Sequence, residues 1–318
     1  SVVYNGVKDI LLSDDFTFSN LEAPVDETLP YKTYPRFNIH REYVQATIDA
    51  GIEVFPLANN HSLDQGVEGV YQTLGSLMIL RDENDMKIHF SGTRGNKEQE
   101  YKPVEIRKKG WRIGFISVTQ FLNGYSRTPY VFIMNYNNTD DAKTFLSFVE
   151  ETAGDYDLFI ISYHAGGEYK LEPEPEKVEY FRKLINAGAD IVYGHHPHVL
   201  QPYEKISVQG STKLILYSMG NFISGQRWSR EPYDLEHYRS YTGDSMILRT
   251  GIVHTENGPS VQRIEPILIT NHINNKREVV VETYDRILEM DLVSKWETYY
   301  KGRYEILKKL ISTYGSIE

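Results

Sequence analysis

The 318-residue chain contains no cysteine, which rules out disulfides and thiolate metal sites. No run approaches the ~20 apolar residues that a membrane-spanning helix needs. The first residues, Ser1-Val2-Val3-Tyr4, carry neither an initiator methionine nor a signal-peptide pattern, so the chain reads as cut from a longer one. Basic excess is also missing: 34 Lys and Arg stand against 44 Asp and Glu, a net charge of −10. Nucleic-acid binders display a basic surface, so no nucleic-acid partner is expected. There is no Gly-rich phosphate loop, no Gly-x-Ser-x-Gly elbow and no His-Glu-x-x-His helix. Internal repeats and low-complexity stretches are absent too.

What is present is a chain long enough for one large α/β domain, with 40% hydrophobic residues and 24 tyrosines. Tyrosine at that level suits a protein that handles sugars or polymers, and equally suits aromatic packing. The pattern predicts strands at 14–19, 52–57, 87–90, 101–107, 111–118, 157–163, 190–193, 206–208, 214–217, 245–253 and 261–269, with 277–284 extended. Helices are predicted over 4–12, 41–50, 64–80, 139–152, 173–186 and 292–312. The continuous apolar run Leu158-Phe-Ile-Ile-Ser-Tyr163 suits a strand covered on both faces. Segments 120–137 and 225–243 are predicted loops.

The chemistry-bearing residues follow the strands. The stretch Gly194-His195-His196-Pro197-His198 places three of the ten histidines within four positions, at the end of a short buried strand. Neutral imidazole is the commonest ligand for transition metals. Asn20 and Glu22 follow the strand predicted over 14–19, where a turn with a solvated acid is the bland alternative. Asn60, His61 and Asp64 follow the next strand, and Asp64 could serve only as a helix N-cap. His164 and Glu168 follow the strand 157–163, flanked by Gly166 and Gly167, and Asn221 follows the strand 214–217. Clusters at the same end of successive strands point to one site on a sheet edge. The Asn, His and carboxylate set suits Mn, Fe, Zn or Mg, one or two ions, rather than copper or an iron–sulfur cluster.

The ordered motifs Asn20-Leu-Glu22-Ala-Pro24, Ala58-Asn-Asn-His61-Ser-Leu-Asp64-Gln-Gly66, His164-Ala-Gly-Gly-Glu-Tyr169, Gly188-Ala-Asp-Ile-Val-Tyr-Gly-His-His-Pro-His-Val-Leu-Gln201 and Tyr217-Ser-Met-Gly-Asn-Phe222 resemble the CapA-type poly-γ-glutamate (capsule) biosynthesis family. That family is similar in fold to calcineurin-like metallophosphoesterases, and the likeness covers residues 4 to about 270. It implies an α/β, four-layer αββα sandwich of two mixed sheets, with metals at the strand ends. It places Glu22 as a metal-bridging carboxylate, Asn60 as an amide ligand, and His61 as general acid or transition-state histidine oriented by Asp64. His164 and His198 match ligands, and His195 and His196 compete for a further place. Asn20, Glu168, Asn221 and Arg227 are expected to contact substrate.

The family opens with a strand ending in Gly-Asp-x-Met, which this chain lacks, so its first strand is expected to be missing here. Domains are expected at 1–271 and 272–318, the second a C-terminal extension ending in a long helix. The resemblance implies a capsule or exopolymer synthesis role in the cell envelope, outside the cytoplasm. It also implies an anionic polymer or phosphorylated substrate, and other capsule synthesis or export components as partners. Membrane association would come only through an N-terminal segment not in this chain. The role is that of a metal-dependent phosphoesterase-like hydrolase, or of a binding or scaffold subunit that retains the fold. Lys32, Arg36, Arg227 and Arg230 are candidates for a basic rim that offsets the acidic charge.

Overall fold

A computed structural model describes residues 2–227 and 230–314. The chain is mixed α/β and divides into two compact units. One comprises Leu11–Ala165 and Glu179–Val192; the other comprises Ser1–Ile10, Gly166–Val178 and Tyr193–Glu318.

In the first unit the strand Trp111–Thr119 pairs antiparallel with Val104–Lys108 and parallel with Leu158–His164. Lys109 and Gly110 close the hairpin with φ of 49° and 86°. Two positive φ values in a two-residue turn match the twist of the flanking strands, and glycine at the second position makes this cheap. Leu158–His164 is buried at every position, as its unbroken apolar run predicts. The parallel register sets Thr119 opposite His164, so both strands finish at the same level.

A second parallel ladder joins Val54–Pro56 to His89–Ser91. The helix Gly66–Glu83 connects them, because parallel neighbours need a long crossover. Helix Thr139–Thr152 starts where predicted, since the Asn138 side chain accepts from the backbone N–H of Asp140 at 3.1 Å and of Asp141 at 3.0 Å. Phe115, Phe145, Phe159 and Tyr163 are fully buried, and Phe145 and Tyr163 meet edge to face.

The second unit holds a three-stranded antiparallel sheet in the order Val279–Thr283, Gly258–Ile273, Asp244–Thr255. A hairpin, Tyr203–Val208 with Ser211–Leu216, turns at Gln209 and Gly210. The helix Ser294–Tyr314 lies close to its predicted span of 292–312. The expected boundary near 271 falls within the strand Gly258–Ile273.

Several expectations need correction. The segment 14–19 is not a strand: it makes one isolated parallel bridge, Phe18 to Val54. Its backbone meets the next strand at only a few points, Ser19 N donating to Val54 O at 3.0 Å and Val54 N to Thr17 O at 3.1 Å, while side chains hold the rest, Glu53 accepting from Thr17 N at 3.0 Å and Asp14 from Thr17 Oγ1 at 3.2 Å. The helix expected over 4–12 reduces to a 3-10 turn, Val2–Tyr4, and one α turn, Lys8–Leu11.

The strand expected to stop at Gly194 continues to His195. Gly194 lies inside that strand, and a Cβ there would meet the Leu216 carbonyl oxygen at 2.7 Å, so the close backbone approach demands glycine. The expected loop 225–243 contains a 3-10 turn, Gly225–Arg227, and a helix, Tyr238–Gly243. Segment 277–284 is a strand only to Thr283, whose side chain then caps the helix Tyr284–Leu288.

Candidate functional site

The first unit builds its polar cluster on a turn after Val54–Pro56. Asn59 is 1% exposed and its side chain ties two segments together. Its Nδ2 donates to Leu21 O at 2.9 Å and to Asn20 Oδ1 at 3.3 Å, while its Oδ1 accepts from His61 N at 3.1 Å. Ser62 Oγ closes the turn by donating to Leu57 O at 2.6 Å. Asn59 therefore brings the loop around 20–22 to the turn that carries Asn60 and His61.

His61 Nδ1 donates to Asp64 Oδ2 at 2.7 Å. The same carboxylate oxygen accepts from Phe37 N at 2.7 Å, and the Phe37 ring lies edge-on to His61 with centroids 4.6 Å apart. Asp64 is not the helix N-cap; that place belongs to Gln65. The second imidazole nitrogen, Nε2, meets Asn123 Nδ2 at 3.4 Å. One ring nitrogen thus holds an orienting carboxylate and the other is held as an acceptor.

His164, fully buried, places Nε2 2.8 Å from Asn60 Oδ1 and 3.8 Å from Glu22 Oε1. Asn60 Nδ2 donates to Asn123 Oδ1 at 3.4 Å, which turns the Asn60 oxygen toward His164. Asn20 Nδ2 donates to Glu22 Oε2 at 2.8 Å and steadies that carboxylate. Asn20 thus orients Glu22. One imidazole nitrogen and two oxygens gather here, a donor set suited to a borderline-hard divalent ion.

The second unit carries the Gly-His-His-Pro-His run. His196 and His198 adopt φ of 106° and 60°, left-handed conformations that cost a β-carbon-bearing residue and recur at functional sites. Ligand atoms of Glu168, His196 and His198 lie within 4.8 Å of one another, with Glu168 exposed. His195 stands outside this group. Burial pushes its pKa well below the ordinary value, and the nearby Lys177, His196 and His198 add to the effect, so it is neutral.

His198 Nδ1 bonds Asn221 Oδ1 at 2.9 Å. The Asn221 amide orientation is set by its Nδ2, which donates to Gln226 Oε1 and Thr242 O, each at 3.0 Å. Nδ1 of His198 therefore carries the proton, and Nε2 keeps the lone pair. Among the expected substrate contacts, Asn221 is a partner of His198, and the side chain of Arg227 lies outside the described residues. Lys32 and Arg36 are exposed on their loop, but Arg230 is buried against Asp244 and does not belong to a solvent rim.

Sequence reasoning missed three residues. Asn59 was visible in the Asn-Asn-His triplet but not as the tie between loops. Asn123 sits in an irregular stretch with no motif. Lys177 reads as an ordinary helix lysine, yet it is buried, donates to Tyr217 O at 2.8 Å, and burial lowers its pKa to about 7.

A mixed α/β chain with Asn, His and carboxylate clusters after its strands defines a candidate metal-dependent protein. The chain belongs to the bacterial capsule synthesis protein family PGA_cap, which matches residues 1–226. It is 28% identical over 282 residues to "Capsule biosynthesis protein CapA" of Bacillus anthracis, covering 84% of this chain and 61% of that protein. It is 30% identical over 232 residues to "PGA biosynthesis protein CapA" of Bacillus subtilis (strain 168), covering 72% of this chain and 58% of that protein. The chain thus spans about three fifths of these relatives. The crystal structure of a hypothetical protein from Thermus thermophilus aligns with a TM-score of 0.48 at 16% identity, over 84% of this chain and 92% of that one. Among the described residues, no helix is long and apolar enough to cross a membrane.

Proposed function

We propose that this chain acts in capsule or exopolymer synthesis of the poly-γ-glutamate type, as a metallophosphoesterase-like hydrolase. Family membership supports the role, and the names of the two CapA relatives point the same way. The site assignment rests on one observation: the Asp64–His61 pair reaches the Glu22, Asn60 and His164 donors through Asn123.

Glu22, Asn60 and His164 would hold a divalent metal, and Glu168, His196 and His198 form a second donor set. Such an ion, when bound, polarises a phosphoryl oxygen and lowers the pKa of bound water. His164 would offer Nε2 to that ion in place of its contact with Asn60 Oδ1. With Nδ1–H on Asp64, His61 Nε2 would take a proton from solvent and give it to the leaving oxygen, while Asp64 stabilises the charged ring and holds its orientation. Asn123 fixes Asn60 and His61 together, so both face the same phosphoryl group. The substrate class is an anionic polymer or a phosphorylated compound in the cell envelope, handled beside other capsule synthesis or export components.

The test is metal content and phosphodiester hydrolysis of the full-length protein, beside Asn60→Ala and His61→Ala variants. Asn60→Ala is expected to lose metal and activity; His61→Ala keeps its metal and loses activity. Unchanged hydrolysis in both variants, or no metal retained by the parent, overturns the catalytic reading and leaves a binding or scaffold subunit.

A further inference from the structure

Asp244, at the head of the strand Asp244–Thr255, is fully buried and accepts four side-chain hydrogen bonds. Its Oδ1 receives Tyr284 OH at 2.7 Å, Thr270 Oγ1 at 2.8 Å and Arg230 Nη2 at 3.3 Å. Its Oδ2 receives Arg303 Nε at 2.8 Å. Arg303 Nη1 continues to Leu235 O at 2.7 Å. Both arginine side chains are essentially inaccessible, at 1% and 0% exposure.

Two guanidiniums therefore share one carboxylate. Burial works against their charge, but Asp244 and the surrounding tyrosines outweigh it, so both stay protonated. Among the described residues, Asp244 is the only acid paired with either of them. The cluster is left with a net positive charge in a dry interior, where an unpaired ion is strongly disfavoured.

Unused donors surround that charge. Arg230 Nε and Nη1, Arg303 Nη2, Tyr299 OH and Ser240 Oγ are buried and meet no hydrogen-bond partner among the described residues. The Arg230 guanidinium lies 5.8 Å from the Tyr299 ring centre, and the Tyr299 and Ser240 hydroxyls adjoin without a hydrogen bond of normal geometry. Gly243 packs directly under Arg230, where any Cβ would collide with the guanidinium. Buried polar groups are nearly always satisfied, so five unsatisfied groups in one positive cluster call for a ligand. Every one of them can donate an N–H or O–H. A cation is repelled, and water would leave the charge uncompensated.

We propose that Arg230, Arg303, Tyr299 and Ser240 form a buried site for one small monovalent anion, a halide such as chloride. One negative charge balances the two guanidiniums and Asp244, whereas a divalent phosphate or sulfate would reverse the imbalance. The anion joins the helix Ser294–Tyr314, through Tyr299 and Arg303, to the helix Tyr238–Gly243, through Ser240.

The test exchanges the full chain into halide-free gluconate buffer and titrates chloride or bromide at constant ionic strength, following thermal unfolding. The midpoint is expected to rise by roughly 2–4 °C per tenfold of halide above its dissociation constant. Sulfate and phosphate should not reproduce the rise. Arg230→Gln removes the surplus charge, so its midpoint should not respond to chloride. Tyr299→Phe removes one donor and should shift the response to about tenfold higher chloride. A bromide-soaked crystal should show an anomalous peak between the two guanidiniums. Equal midpoints of the parent in chloride and gluconate overturn the proposal, as does a full chloride response in Arg230→Gln or an equal effect of sulfate. Should Arg230→Gln not fold, Tyr299→Phe and the bromide peak decide.

Discussion

Asp64 and His61 are bonded through one oxygen and one ring nitrogen at 2.7 Å, across a single turn, while the same oxygen holds the Phe37 backbone N–H. The carboxylate therefore joins the loop that ends at Phe37 to the catalytic candidate. An orienting acid of this kind sets the imidazole tautomer, and geometry alone assigns the proton to Nδ1.

Asp64→Asn tests that arrangement. Phosphodiester hydrolysis should fall about 10²- to 10⁴-fold, because an amide can present an N–H to His61 and select the wrong tautomer. Urea unfolding should show a loss of about 1–3 kcal/mol from the weakened buried bonds. A variant with parental turnover would show that His61 needs no orienting carboxylate.

Asn59→Ala should be more damaging to stability than to metal chemistry directly. It strands Leu21 O and His61 N in a buried turn, at about 2–4 kcal/mol in total. Asn59→Asp keeps the acceptor for His61 N and loses the donors to Asn20 and Leu21. Its denaturation midpoint should fall below the parent's, and equality would mean the loop around 20–22 is held elsewhere.

Asn221→Ala addresses the second unit. Without the Asn221 oxygen, His198 is free to change tautomer and rotate, so metal affinity at that donor set should drop about 10- to 100-fold. Competition titration with a chromophoric chelator reads this directly. Affinity equal to the parent's would show that His198 takes no part in metal binding.

Lys177→Met addresses pH. The folded lysine titrates near 7, against an ordinary 10.5, so between these values the unfolded chain binds the extra proton. Stability of the parent relative to Lys177→Met should therefore rise with pH from about 7 to 10.5, and be flat and lowest below 7. Chemical denaturation of both proteins across that range measures the difference. A pH-independent difference would place the ammonium in a solvated environment.

The strand-and-helix framework was largely legible. Leu158–His164, Trp111–Thr119 and Thr139–Thr152 declare themselves by an apolar run, a Lys-Gly turn and an Asn cap, all of which are local signals. Segment 14–19 misled because its alternating aromatics look like a strand, while its backbone pairs with the next strand only around Phe18 and the Glu53 side chain takes the Thr17 N–H. Asp64 admitted two readings, a helix cap or a partner of His61, and the tertiary contact gives it to the histidine three residues earlier.

By itself the sequence determined the family, the mixed α/β class and which residue types follow which strands, because motif order and hydrophobic period are written along the chain. Only the tertiary structure decided that Asn60 turns its oxygen to His164, that Asn221 fixes the His198 tautomer, and that Arg230 is buried on Asp244 rather than facing solvent. Those outcomes depend on distances between residues 23 to 104 positions apart in the chain, or on the burial of a loop, and no local pattern encodes either.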